Sequence, residues 1–150
     1  MTARRTGVAV LGTPFRGDDA VGPLVGERLR ARGLEVLDCR DEPTRLIEPF
    51  TQLDVAVIVD AVRSGSAVGT VHVVEAAAGR LPADLALAST HAVGVGEALE
   101  LGRALGRAPR RVVLVGVEGR AFGMGDPLTP EVEQALDAAA DAVLVVLGDR

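Results

Sequence analysis

Gly12-Thr13-Pro14-Phe15-Arg16-Gly17-Asp18-Asp19-Ala20-Val21-Gly22 is the stretch whose reading decides the fold. An apolar run, Val8-Ala9-Val10-Leu11, leads into it. A helical pattern leaves it, with Val21, Leu24, Val25 and Leu29 on one face at spacings of three and four. Strand, glycine-rich bend and helix start therefore follow one another. In an open parallel sheet such a bend lies at the carboxyl end of a strand, where ligands usually bind. A phosphate cradle would need repeated glycines and, in a P-loop, a Lys-Ser/Thr ending. That ending is absent, and two adjacent carboxylates would repel phosphate. Helix capping explains one aspartate well, because Asp accepts free N–H groups at the positive helix end. The second aspartate is then left to act as a metal ligand or an acid/base.

The chain has 150 residues, the size of one domain, and residues 1–150 are expected to form one. Apolar residues make up 48% but aromatics only 2%, so the core must be aliphatic. All sixteen basic residues are Arg, net charge is −5, and no basic tract stands out. This balance argues against a nucleic-acid partner. Cys39 is the only cysteine, which excludes an internal disulfide and a multi-cysteine zinc site. Arg4 and Arg5 precede an apolar run too short for a signal peptide. No apolar run reaches the roughly 18 residues that a membrane span needs. The expected compartment is the cytoplasm.

Outward from the bend, helix one is expected from Ala20 to Arg32, stopped by Gly33. Leu34 to Leu37 reads as a second strand ending at Asp38, followed by the polar loop Cys39-Arg40-Asp41-Glu42-Pro43. A short helix over Thr44 to Phe50 precedes Val55-Ala56-Val57-Ile58-Val59, apolar throughout, as a strand covered on both faces should be. Asp60 ends it. Thr70 to Val74, containing His72, alternates in character and suits a sheet edge. Gly79 to Asp84 is irregular. Ser89-Thr90-His91 opens a helix from Ala92 to Gly106, with Val95, Leu99 and Leu105 on its apolar side. Its glycines, Gly94, Gly96 and Gly102, suggest close packing. Val112 to Val117 is another buried strand. Thr129 and Pro130 start a last helix whose stripe is Val132, Ala135, Leu136, Ala139, Val143, Val146 and Leu147. Alternating strands and helices define an α/β class: a mostly parallel, twisted sheet between two helical layers.

That topology gathers Asp18 and Asp19, Asp38, Asp60 and His91 at the carboxyl edge of the sheet. Carboxylates crowded there would raise one another's pKa, and a divalent cation relieves the repulsion. Two carboxylates and an imidazole suit a first-row divalent metal with positions left open. Each residue also has a plain structural role: Asp60 and Asp38 as loop caps, His91 as a helix start, His72 as a strand residue.

The chain resembles the hydrogenase maturation proteases, which trim the C-terminus of a nickel-iron hydrogenase large-subunit precursor. The resemblance rests on Gly17-Asp18-Asp19-Ala20-Val21-Gly22-Pro23, Val59-Asp60-Ala61, Ser89-Thr90-His91, Leu114-Val115-Gly116-Val117 and Leu128-Thr129-Pro130-Glu131-Val132. They occur in the family's order over nearly the whole length. The resemblance implies that Asp19, Asp60 and His91 contact metal. The metal would be the nickel already inserted in the precursor, although other divalent cations could occupy the site. It also implies a functional place for the acid after strand two, here Asp38. The chain departs from the family at two points. Gly12-Thr13 stands where Gly-Asn is common, and Cys39-Arg40 stands where a glycine pair or Gly-Thr is usual.

The residues permit two hydrolytic routes. Metal polarises the scissile carbonyl or a bound water, or Asp38 or Asp18 acts as general base beside a nickel that serves as a docking handle; Asp19 and Asp38 are the expected catalytic residues. Ser64, Ser66 and Ser89 lack a recognisable base, and Cys39 reads as a buried thiol rather than a nucleophile. A monomeric peptidase acting on a hydrogenase precursor is the expected function. A non-cleaving, metal-checking chaperone with the same ligands is the alternative.

Overall fold

The computed structural model describes residues 3–76 and 91–148. The irregular stretch expected over 79–84, and Ser89 and Thr90, lie outside the described residues. Among the described residues, five strands form one sheet: β1 (Thr6–Leu11), β2 (Val36–Arg40), β3 (Val55–Val62), β4 (Val71–Glu75) and β5 (Arg111–Glu118). Their order is β2-β1-β3-β5-β4. Neighbours are parallel except β4, which pairs antiparallel to β5 at the edge. Among the described residues the helices are α1 (Val21–Ala31), the single-turn α2 (Ile47–Phe50), α3 (Ala92–Ala104) and α4 (Pro130–Gly148). Short 3-10 turns at Gly17–Ala20 and Pro43–Leu46 precede α1 and α2.

The period-two alternation of the central strands divides the core. Val8, Val10, Val57, Val59, Val113 and Val115 face α1 and α4. Ala9, Leu11, Ala56, Ile58, Val112 and Leu114 face α2 and α3 with Phe50, Val95 and Leu99. Every residue of β3 is buried, so neither face of this strand meets solvent. The expected α/β sandwich with a mostly parallel sheet is therefore the observed one. Among the described residues, no helix is long and apolar enough to cross a membrane.

Element ends differ from the sequence expectation in three informative places. First, β2 runs through Val36–Arg40, so Asp38 lies inside the strand rather than after it. The register slips between Val10 and Leu11, whose partners are Asp38 and Arg40. Arg40 adopts a left-handed conformation at φ 49°, and its carbonyl accepts the Gly12 N–H at 2.8 Å. Second, β3 extends past Asp60 to Val62, because Asp60, Ala61 and Val62 pair with Gly116, Val117 and Glu118 of β5. Third, α3 ends at Ala104, leaving Leu105 outside it and 55% exposed. Of the three glycines in α3, Gly94 shows the close packing expected: a Cβ there would stand 2.8 Å from the Pro43 ring. Gly96 meets nothing and Gly102 only ordinary contacts.

The bend after β1 is tightly seated. A Cβ on Gly22 would lie 2.0 Å from the Leu11 carbonyl oxygen, so only glycine lets α1 begin directly on β1. Gly12, at φ +119°, is held against the Asp19 carbonyl in the same way. The chain thus turns from β1 into α1 over residues 12–20 and delivers Asp19 to the carboxyl edge. That edge lies between β1 and β3, where the strand order reverses and α/β sheets open a crevice.

Candidate active site

Asp18 and Asp19 part company at the bend. Asp18 is fully buried and does not cap α1. Its Oδ1 accepts the Thr129 N–H at 2.8 Å. Its Oδ2 accepts the N–H groups of Arg120 and Ala121 and the Thr129 hydroxyl, at 2.8, 3.0 and 2.7 Å. Burial alone would raise its pKa, but these bonds win and hold it below the usual carboxylate value. Asp18 is therefore an anionic fastener between the bend and the loop 119–129. With its oxygens committed to donors, it is unsuited to be the general base.

Asp19 turns the other way. Its Oδ2 accepts the Thr13 N–H at 2.7 Å. Burial pushes its pKa up, and the charge of Asp60 adds to this, against the Thr13 N–H and His91. His91 stands at the N-terminus of α3. Its Nδ1 lies 3.0 and 3.1 Å from the two carboxylate oxygens of Asp60, and its Nε2 lies 3.0 Å from Asp41 Oδ1. The other oxygen of Asp41 accepts the Thr13 hydroxyl. One atom from each of Asp19, Asp41 and His91 lies within 4.8 Å of the others.

Of the residues expected to hold metal, Asp19 and His91 thus fall in one group, and Asp60 stands directly behind the imidazole. Asp41 completes the group, and the sequence reading passed over it as loop. The signal for it was faint: an acid three residues beyond Asp38, carried to the crevice only by the β2 register slip. Thr13 and Asp41, which bond each other, belong to or adjoin the two segments where the chain departs from the family pattern. Asp38 alternates onto the opposite face of the sheet, with Val36 towards α1, and its Oδ1 accepts the Arg40 N–H at 3.1 Å. Cys39 is fully buried, and burial pushes its thiol up to about 11, so it is not a nucleophile.

A second polar cluster ends β5. Glu118 is buried, and it accepts the Ser64 N–H at 2.8 Å and the Ser64 hydroxyl. The same Oε1 lies 3.2 Å from His72 Nε2. Ser64 and His72 both address the carboxylate, so the imidazole is not placed to take the serine proton. The cluster ties the loop after β3 to the edge strand.

Burial disfavours the His91 imidazolium, but hydrogen bonds to Asp60 and Asp41 and the charges of Asp60 and Asp19 more than offset it. The pKa is pushed up to about 9. The metal-free protein should therefore carry a charged His91 at neutral pH. Because the folded value exceeds the unfolded 6.5, this contact's contribution to stability is complete below that value. It is lost as pH rises through about 9. An NMR titration of the ring protons in metal-free protein should place the His91 midpoint well above that of an exposed histidine. A midpoint near 6.5 would show the imidazole to be outside this carboxylate nest.

Fold and site together define a doubly covered α/β protein with an acid-and-imidazole group at the reversal point of its sheet. The family model HycI, hydrogenase maturation protease, matches residues 23–146. The chain belongs to the hydrogenase maturation protease family, a family of peptidases. Among solved structures it is similar to the hydrogenase maturating endopeptidase HybD from E. coli: 26% identity, 95% of this chain and 91% of that one, TM-score 0.81. An endopeptidase from Escherichia coli matches at 27% identity over 94% and 91% of the two chains, TM-score 0.79. A hydrogenase 2 maturation peptidase from a Thaumarchaeota archaeon matches at 27% over 97% and 99%, TM-score 0.69. No protein of curated function matches significantly by sequence.

Proposed function

We propose that this protein removes the C-terminal peptide of a nickel-iron hydrogenase large-subunit precursor, and that it does so after reading the nickel already in place. The observation that carries the proposal is the Asp19–Asp41–His91 group, within 4.8 Å, with a buried acid fixing the imidazole from behind. Carboxylate–histidine pairs of this kind orient the ring so that its second nitrogen can meet a metal. In this reading Asp60 holds Nδ1 and His91 exchanges its Nε2 contact with Asp41 for the cation. Asp41 and Asp19 supply the neutralising charge. Asp60 thereby becomes the orienting residue behind the ligand rather than the ligand itself. Nickel comes as cargo of the precursor, and other divalent cations of similar preference would fit the same donors.

Hydrolysis needs a group to receive a proton from the attacking water. We assign this step to Asp19, whose Oδ2 is held by the Thr13 N–H and which shares the crevice with His91 and Asp41. Asp38, on the far face of the sheet, receives no step. The protein would act as a monomer in the cytoplasm, on a protein partner rather than on nucleic acid or membrane.

The test is direct. Nickel-loaded and metal-free precursor are each incubated with the protein and weighed by intact mass spectrometry. The loaded precursor should lose its C-terminal peptide and the empty one should not. Equal cleavage of both would overturn nickel reading. Tight binding of the loaded form without cleavage would make the protein a metal-checking chaperone.

A further inference from the structure

The loops on either side of Asp18 carry large apolar side chains into solvent: Phe15 is 72% exposed and Met124 is 73% exposed. They are the two most exposed of the large hydrophobic residues described; Val145, Leu105, Val73 and Leu101 follow, scattered over other elements. Exposed apolar residues on loose tips would mean little. These two are held firmly. The Phe15 carbonyl accepts the Gly125 N–H at 2.8 Å, joining the two loops at the exposed residues themselves. Asp18 N–H donates to the Ala121 carbonyl at 2.7 Å, and the Asp18 carboxylate returns bonds to Arg120, Ala121 and Thr129. A Cβ on Gly17 would lie 2.3 Å from the Ala121 oxygen, so the loops are in backbone contact. Arg63 adds a guanidinium 4.4 Å above the Phe122 ring, at the root of the same loop.

The result is an apolar platform on a fixed backbone, with Arg16 next to Phe15 in sequence, Arg63 over Phe122, and Arg120 ion-paired with Glu131. It is continuous with the candidate site, because Thr13, which holds Asp19 and Asp41, lies two residues before Phe15. A partner that places a metal centre at His91 must also cover this rim. Solvent-facing aromatic and Met side chains on a hydrogen-bonded backbone beside a site are what an interface core requires, since the loops that carry them need no reordering on docking.

We infer that Phe15 and Met124 form the docking platform for the hydrogenase precursor, against an apolar segment of its surface flanked by acidic side chains. This rests on the function proposed above for the chain's active site. The platform sets how tightly the precursor is held, and the Asp19–His91 group sets what happens to it.

The experiment measures equilibrium binding of nickel-loaded precursor by immobilised protein, in parallel with cleavage. The Phe15→Ser/Met124→Ser double variant should bind about 10–30-fold more weakly than wild type, with an unchanged melting temperature. Its cleavage rate at saturating precursor should be preserved. Val145→Ser, a change at the next most exposed large apolar residue and on α4, should bind as wild type does. Wild-type affinity in the double variant, or an equal loss in Val145→Ser, would overturn the inference. If wild type binds but does not cleave, the peptidase reading fails while the binding comparison still decides the platform. If wild type does not bind loaded precursor at all, both fail.

Discussion

Asp19→Asn is expected to abolish processing of nickel-loaded precursor while leaving the protein as stable as wild type, or more so. The reason is electrostatic. Asp19 is pushed towards its protonated form by burial and by Asp60, so its charge is a cost to the folded state at neutral pH. An amide keeps the size and can still accept the Thr13 N–H. It can neither offset a cation's charge nor take a proton. Changing even the residues behind metal ligands typically costs about 10–100-fold, so cleavage should fall by about 100-fold or more. His91 needs more care. A helix-start histidine would be expected to contribute little packing, yet this one is the partner of the fully buried Asp60. His91→Ala removes that partner from a buried carboxylate, which generally costs several kcal/mol, so function and stability fall together. His91→Gln retains a donor for Asp60 and separates the two effects. Processing should stay lost while most of the melting temperature returns. Intact-mass cleavage and thermal melts on the three variants suffice. An Asp19→Asn protein that processes at the wild-type rate would remove Asp19 from the mechanism.

Asp18→Asn should lower stability sharply through a contact outside the Asp19–Asp41–His91 group. Side by side in sequence, Asp18 and Asp19 look interchangeable, and Asn caps a helix about as well as Asp. Asp18 is instead the acceptor for three N–H groups and a hydroxyl from the segment 120–129. An amide turns an NH2 group towards donors and leaves at least one of them unsatisfied. Loss of a bond to a buried charge, with an orphaned donor, costs about 2–4 kcal/mol. For a chain of this size that is a fall of roughly 5–15 °C in melting temperature. The effect has a pH signature. The folded pKa lies below the unfolded 3.8, so the stabilisation is present above that value and fades as pH falls through the folded one. The gap between wild type and variant should therefore narrow in acid. A melting temperature unaffected at neutral pH would return Asp18 to the role of an exposed cap.

Much of the architecture could be read from local pattern. The continuous apolar runs of β3 and β5 can survive only with both faces covered, and strands alternating with amphipathic helices leave few topologies other than a parallel sheet between layers. Asp19, Asp60 and His91 could be placed at one edge by the same logic, since the ends of parallel strands and the starts of the helices that follow share an edge. These are consequences of periodicity and chain direction, which sequence carries directly.

The roles of individual acids were a different matter, because each depends on a neighbour remote in sequence. Asp18 is spent on Thr129, 111 residues away. His91 is fixed by Asp60 and Asp41, at separations of 31 and 50 residues. Asp38 takes the other face of the sheet by strand alternation once β2 is seen to run through it, and Asp41 follows a register slip and a left-handed Arg40 that no composition or spacing announces. Sequence determined that carboxylates and an imidazole would meet at the edge of this sheet. Tertiary structure decided which partners each carboxylate meets, because hydrogen-bond donors are shared out only once the loops have packed.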